Sequence, residues 1–512
     1  MVISIKNAFI LLLLLMLVCS MCKSGFDDLP EPWMPVFPSF HVTVNGTPAG
    51  DGSIDAPWDL ATALSRSTVV PGDTIYLHGG TYKGFFVSNL NGTAAAPIVI
   101  LPWHNDTVII DGTGQTASAP AVLTFEGSYT WLKGVTITNS AANHYNADNT
   151  NDGVYFIGPG NKLQNCIIRG NSGNGIGFWN PAVNAEVSGC IIYNNGAIGP
   201  NRGHGHGLYV QQGTAGVKTI RNNIIFNSFG KGIQVYGTSV EVHNTVIEDN
   251  IFFDAALPAG MGLEQSVYIG GIMKVDNHVV RNNVFYASPG HPGTPASAKF
   301  GDAFGMVPSE TNGKAVFSGN YCVDSFLHIT RRWEHMTARD NTYIAKSSAN
   351  RIVVGYDVYD HAGMTRDYDS NVYHRGMIGE NNATGFSTFP LSAIQEYDGQ
   401  EMNSVYHENL PNQSAVFVKQ VDVDRWHVAI FNWRNARSIT VALPNLKSGA
   451  GYEIFYAPGL QSRPVAKGNY NGNFVTIPLD ASAADIPLGM ETHAARFTGT
   501  LPDFGAFLII GR

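Results

Sequence analysis

Charge is scarce in this sequence. Only 14% of its 512 residues are Asp, Glu, Lys or Arg, and they leave a formal net charge of -9. A nucleic-acid partner needs a basic surface that displaces counterions, so this balance argues against one. Cysteine is scarce as well. Cys19 and Cys22 lie near the start, and Cys166, Cys190 and Cys322 lie in the body. An odd number in the body without Cys-x-x-Cys spacing gives neither a disulfide framework nor a zinc site. Long apolar runs are missing apart from residues 8–18, which follow Lys6. That run is short for a bilayer span and has the layout of an export signal. The sequence therefore predicts a signal peptide over residues 1–22 and no transmembrane span. The rest is expected to be a soluble monomer, freely secreted or held at the cell envelope by a lipid on Cys22 or Cys19.

Glycine is abundant, with 56 copies, and so is Asn. Low charge with many turn-formers suits an all-β chain. Self-similarity sharpens this. The segments "KLQNCIIRG" (162–170), "AEVSGCIIYNNG" (185–196), "KTIRNNIIFN" (218–227), "TVIEDNIFFD" (245–254), "HVVRNNVFYA" (278–287), "AVFSGNYCVD" (315–324) and "MTARDNTYIA" (336–345) repeat every 21 to 37 residues. Most are followed by a second short strand: "NGIGF", "HGLYV", "KGIQV", "QSVYI", "DAFGM". Strand and turn at this period predict a coil of parallel strands, because one rung alone cannot bury its apolar face. The aligned position holding Cys166, Cys190, Asn223, Asn250, Asn283, Asn320 and Asn341 reads as an inward ladder that satisfies backbone groups. Arg221, Glu248 and Arg281 alternate two positions earlier, as a surface ion ladder.

The segment 71–82, "PGDTIYLHGGTY", follows an amphipathic helical stretch at 60–65. Together they resemble the N-terminal cap of secreted right-handed β-helix proteins of the pectate-lyase-like superfamily. The later "GHGHGLYVQ…KTIRNNIIFN…GIQVYG…VYIGG" is similar to secreted bacterial members of that group. The resemblance implies an all-β fold, a right-handed parallel β-helix over 40–385 with its cap, and export. It is specific for fold and weak for reaction, since lyases, hydrolases and epimerases share it. From about residue 412 to 512 the chain changes to alternating strands at hairpin spacing, which predict a small C-terminal antiparallel β-sandwich or else a cap on the last coil.

Alternation within the second strand of each rung gives its outward face. One outward column reads Tyr155, Gly177, Tyr209, Gln234, Tyr268 and Gly305. A second reads Ile157, Trp179, Gln211, Tyr236, Gly270 and Val307. Aromatic planes pack on the C–H face of sugars, and the glycines leave hollows between them, so the face predicts a polysaccharide groove. Aromatic stacking that only stabilises the sheet is the alternative. The leading edge of the same strands aligns Asp152, Asn174, His206, Lys231, Gln265 and Asp302. His206 and Lys231 on successive rungs suit β-elimination from a uronic-acid glycan. Lys231 or Arg202 would neutralise the carboxylate, His206 would take the proton, and Tyr209 would protonate the leaving oxygen, with His204 in the loop beside them. Asp148 and Asp152 in "DNTNDG" resemble part of a calcium loop, so a bound Ca²⁺ is a further expectation. "GHG" also resembles the histidine motif of polygalacturonase-type hydrolases, but the preceding rung has Asn174 where that family carries an Asp pair. A hydrolase built on loop carboxylates such as Glu264, and a glycan-binding protein without activity, are the competing readings.

Overall fold

The computed structural model describes residues 39–512 except 289–295, 301–310, 330–332, 348–350, 354–364 and the positions 115, 117, 214, 262, 263, 383, 384, 481, 482, 488 and 498. The export signal, Cys19 and Cys22 lie outside the described residues. Among those described, no helix is long and apolar enough to cross a membrane.

Three sheets run the length of a right-handed parallel β-helix. The first has 12 strands, from Ser39–Val42 to Thr365–Asp369. The second has 9, from Phe86–Ser88 to Phe326–Ile329. The third has 12, from Gly80–Lys83 to Val405–His407. Every rung pairs in parallel with the next, so like positions stack: Leu163 on Val187, Ile176 on Leu208, Ile168 on Ile192. The stacked inward residues form one continuous core. The opening helix is a single turn, Leu60–Ala63, with the Thr62 N–H capped by the Asp59 carboxylate.

The Asn ladder is the clearest link from sequence to packing. Each Asn accepts the N–H of its counterpart one rung back: Cys190 N–H to Asn223, then Asn223 to Asn250, Asn250 to Asn283, Asn283 to Asn320, Asn320 to Asn341 and Asn341 to Asn371. The amide nitrogen of each donates to a core carbonyl, as Asn250 does to Ile220. Buried backbone groups at the bend between sheets are thereby paired. Cys166 and Cys190 occupy the first two positions and are fully buried. The ion ladder resolves into separate pairs, Arg221 with Glu186 at 2.8 Å and Arg281 with Glu248 at 2.6 Å. Arg221 thus turns back to the earlier rung instead of bridging to Glu248. The coil holds rungs at Thr365–Asp369 and Val372–His374, inside the expected 40–385, and one more strand beyond it, Val405–His407.

The C-terminal strands form a sheet of five antiparallel strands and a facing pair, Ser438–Val441 with Val475–Pro478. Trp426, Ile430, Ile454, Phe507 and Ile477 fill the space between. This sandwich does not sit on the last coil. It lies along the outer face of the third sheet, where Tyr193, Phe226, Phe253 and Tyr286 meet Phe431, Phe504 and Leu508. Tyr193, Phe226 and Phe253 stack face to face at 4.8 and 4.5 Å.

Candidate functional site

The candidate residues of the second sheet lie on its outer face, half-buried or buried. The strands Asp152–Phe156, Ile176–Phe178, Leu208–Val210, Ile233–Gly237 and Val267–Gly271 stack in register. Tyr155, Gly177, Tyr209, Gln234 and Tyr268 therefore align, and Trp179, Gln211, Tyr236 and Gly270 run beside them. The next strand is Ala296–Phe300, and Tyr268 pairs with Lys299. That corrects the expected continuation through Asp302, Gly305 and Val307, all of which lie outside the described residues.

Glycines in "RGHGHGLYV" are there for the backbone. A Cβ on Gly207 would stand 2.5 Å from the Gly232 carbonyl oxygen, and Gly205 has a φ of +83°. Residues Gly203–His204 pair antiparallel with Ala197–Ile198, so Arg202 sits on the hairpin loop above the sheet, exposed. His204 is half-buried. Its pKa is lowered, first by desolvation and then by Arg202, with Asp148 acting against them.

A second ladder runs along the leading edge. Asp152 Oδ1 accepts the Asn174 N–H at 2.6 Å, Asn174 Oδ1 accepts the His206 N–H at 2.9 Å, and His206 Nδ1 accepts the Lys231 N–H at 2.9 Å. Each side chain caps the strand that follows it. For His206 this fixes the chemistry. A neutral imidazole whose Nδ1 accepts must carry its proton on Nε2. The ring is 7% exposed, and desolvation, then Lys231, Arg202 and His204, hold its pKa well below the ordinary value. His206 is thus a neutral donor through Nε2–H. The expected role of general base does not fit it, because the nitrogen free to face a substrate is already protonated.

Asp152 is the group that can exchange a proton. Its carboxyl is buried, and desolvation pushes it up to about 7 despite the hydrogen bonds from Asn174 that pull the other way. Gly177, having no side chain, lets its neighbours close over it. The point where a Cβ would sit is 2.9 Å from Asp152 Oδ2, 2.7 Å from Trp179 Nε1 and 3.1 Å from the Tyr155 ring. The Trp179 Nε1–H is buried and has no partner among the described residues. Burial, then the nearby Asp152, raises Tyr155 to about 12. Tyr155 and Trp179 lie 5.1 Å apart, Trp179 and Tyr209 5.4 Å, and His206 and Tyr209 6.1 Å, so the rings pack side by side along the sheet.

Farther along, Lys231 Nζ pairs with Glu264 at 3.3 Å and lies 5.5 Å over the Tyr268 ring. Tyr268 is 5% exposed. It therefore supports Lys231 instead of presenting an open platform, which corrects its expected role in binding. Gln211, Gln234 and Tyr236 remain half-buried on the outer face. Calcium takes roughly six to eight oxygen ligands. Asp148 is exposed and Asp152 spends its oxygens on Asn174. Among the described residues no three His, Cys, Asp or Glu side chains group as ligands.

Sequence reasoning missed Lys218. It is fully buried, and its Nζ donates to the carbonyls of Phe178, Trp179 and Gln211. It thus ties together the two loops that carry Trp179 and Gln211. A lysine at an inward position of "KTIR" was the available signal.

Comparison with known proteins agrees with this architecture. Residues 40–157 match the family model "Pel9A-like, right handed beta helix region", and residues 121–292 match "Right handed beta helix region". Pectate lyase L of Thermoclostridium stercorarium is 25% identical over 273 residues, 48% of this chain and 20% of that protein. Pectate lyase PEL9 of Emericella nidulans is 40% identical over 77 residues, 14% of this chain and 18% of that protein. The chain thus spans about a fifth of the length of these curated relatives. Among solved structures, a GH136 lacto-N-biosidase from Eubacterium ramulus overlays with a TM-score of 0.49 at 14% identity, covering 72% of this chain and 67% of that one. Pectate lyase Pel9A overlays with a TM-score of 0.43 at 18% identity, covering 64% and 80%. Residues 40–292 thus match right-handed β-helix regions, in agreement with the sheets.

Proposed function

We propose that this protein cleaves an acidic, uronate-containing polysaccharide by β-elimination along the outer face of the second sheet, beside Asp152 and His206. The observation that carries the reading is the grouping of these side chains on one sheet face. A buried carboxyl pushed up to about 7, that of Asp152, packs beside Tyr155 and Trp179, and His206, Arg202 and Lys231 lie along the same edge. The similarity of residues 40–292 to β-helix regions, and the pectate lyases among the relatives, support a glycan as substrate.

The residues divide the work as follows. The sugar ring lies on Trp179 and Tyr155. The Nε2–H of His206, with Arg202 above it, holds the sugar carboxylate and stabilises the charge that develops there. Lys231, one rung on, is in register for the carboxylate of the next sugar. Asp152, ionised, takes the proton from the carbon next to the carboxylate. Those electrons form the carbon–carbon double bond, the glycosidic carbon–oxygen bond breaks, and Tyr209 protonates the departing oxygen. The products are a new chain end and an unsaturated uronate. A hydrolase needs two carboxyls roughly 5–9.5 Å apart. Glu264, beside Gln265, is about 19 Å from Asp152 along the sheet, at four strand spacings.

The test is incubation of the purified chain with polygalacturonate and alginate, following the ultraviolet absorbance of the unsaturated product. Asp152→Asn and Tyr209→Phe should each lower the rate by about a hundredfold or more. Reducing ends without that absorbance would replace this reading with hydrolysis. Retention of glycan without cleavage would leave a binding protein.

A further inference from the structure

A second polar cavity lies where the sandwich stops covering the third sheet. On that outer face the stacked column reads Asp111, Thr138, Arg169, Tyr193, Phe226 and Phe253. The sandwich buries the aromatic members from Tyr193 onward. Just before them a cavity of about 290 Å³ opens, lined by Asp111, Thr138, Arg169, Tyr193 and Asn194 from the coil and by Gln461 from the sandwich. Its volume equals about ten waters at roughly 30 Å³ each, room for one sugar unit with some solvent.

The lining is set up for an anion with hydroxyl groups. Among the described residues the Arg169 guanidinium makes no hydrogen bond or ion pair, though it feels the charge of Asp485. Asp485 is already occupied by the Tyr193 hydroxyl at 3.1 Å and the Gln461 N–H at 3.0 Å. Asn194 is 3% exposed, and its Oδ1 has no partner. Asp111 spends Oδ1 on the N–H groups of Thr113 and Ser140, which leaves Oδ2 to accept from a ligand. Arg169 and Asp111 stand two strand spacings apart, about 9.5 Å. A planar guanidinium at one end suits a carboxylate, and acceptors at the other suit hydroxyls.

We propose that this cavity is an ancillary binding site for a single uronate unit, held by Arg169 through its carboxylate and by Asp111, Asn194 and Gln461 through its hydroxyls. The proposal rests on the reading of an acidic glycan as substrate, and it gives the sandwich a part in holding that glycan on a face other than the catalytic groove. Isothermal titration of the full chain with galacturonate alone and galactose alone tests it. Galacturonate should bind about tenfold more tightly than galactose. Arg169→Gln should weaken galacturonate about tenfold, and Gln461→Ala severalfold, with unchanged melting temperatures. Trp179→Ala in the groove should leave this binding intact. Equal binding of the two sugars, indifference to Arg169→Gln, or loss through Trp179→Ala would each overturn it. Absence of unsaturated product with Arg169-dependent binding preserved would instead refute the groove chemistry and leave this site standing.

Discussion

Replacing Asp152 by Asn should separate the chemistry of the groove from its stability. The carboxyl ionises near 3.8 in an unfolded chain and is pushed up to about 7 in the folded protein. Between those values the folded state holds a proton that the unfolded state has lost, so stability falls by about 1.4 kcal/mol for each pH unit. By pH 8 the charged carboxylate has cost roughly 4 kcal/mol relative to its neutral form. Asn keeps the shape and an oxygen for the Asn174 N–H, yet carries no charge. Asp152→Asn should therefore match the wild type in urea unfolding at pH 4 and exceed it progressively to pH 8, while losing β-elimination. Unfolding midpoints for both proteins across that range provide the assay. A stability difference that does not grow with pH would refute the claim that this carboxyl is buried against its charge.

Other consequences are equally direct. His278 and His427 are buried and titrate at about 4 and about 3 when folded, desolvation being the main cause. The unfolded chain takes up their protons below pH 6.5, so stability should drop by about 1.4 kcal/mol per pH unit for each as the pH falls toward those values. His278→Asn should flatten that slope in pH-dependent unfolding. Asn250→Ala strips a partner from the Asn223 N–H and amide and from the Ile220 carbonyl. It should cost roughly 3 kcal/mol or more, read as a lower urea midpoint. Burial pulls the Lys218 ammonium down to about 7, while three carbonyls surround it. Lys218→Met removes their shared donor, and glycan binding should weaken with Trp179 and Gln211 no longer fixed, a change visible in Trp fluorescence.

Much of the coil was legible because identical positions recur. One residue type at one aligned place announced the Asn ladder, and alternation of period two placed Tyr155, Tyr209 and Trp179 on the outside. Counting failed after Tyr268, where the long insertion hid which strand comes next, and the pattern "DAFGM" competed with the strand Ala296–Phe300 that pairs. The relation of His206 to Lys231 was also readable as a position, since both lie on the same edge. Its chemistry was not, because the partner of Nδ1 is a main-chain N–H, and every residue but proline offers one. Asp152 carried too little local pattern to reveal that burial raises its pKa. The docking of the sandwich had a signal that went unused. The outward ends of "IIY", "IIF", "IFF" and "VFY" stack a run of aromatic rings that water would not tolerate uncovered.

That docking face spans seven consecutive rungs, from Ile167 through Ile344. A stack of coils ordinarily gains or loses whole turns at little cost, since each touches only its neighbours. Here a folded block of fixed length is fastened across several of them, like a splint across a spring. Lengthening or shortening by a full turn within that stretch would throw every later ring out of step with its socket, so variation in the number of turns belongs outside it, before Ile167 or after Ile344.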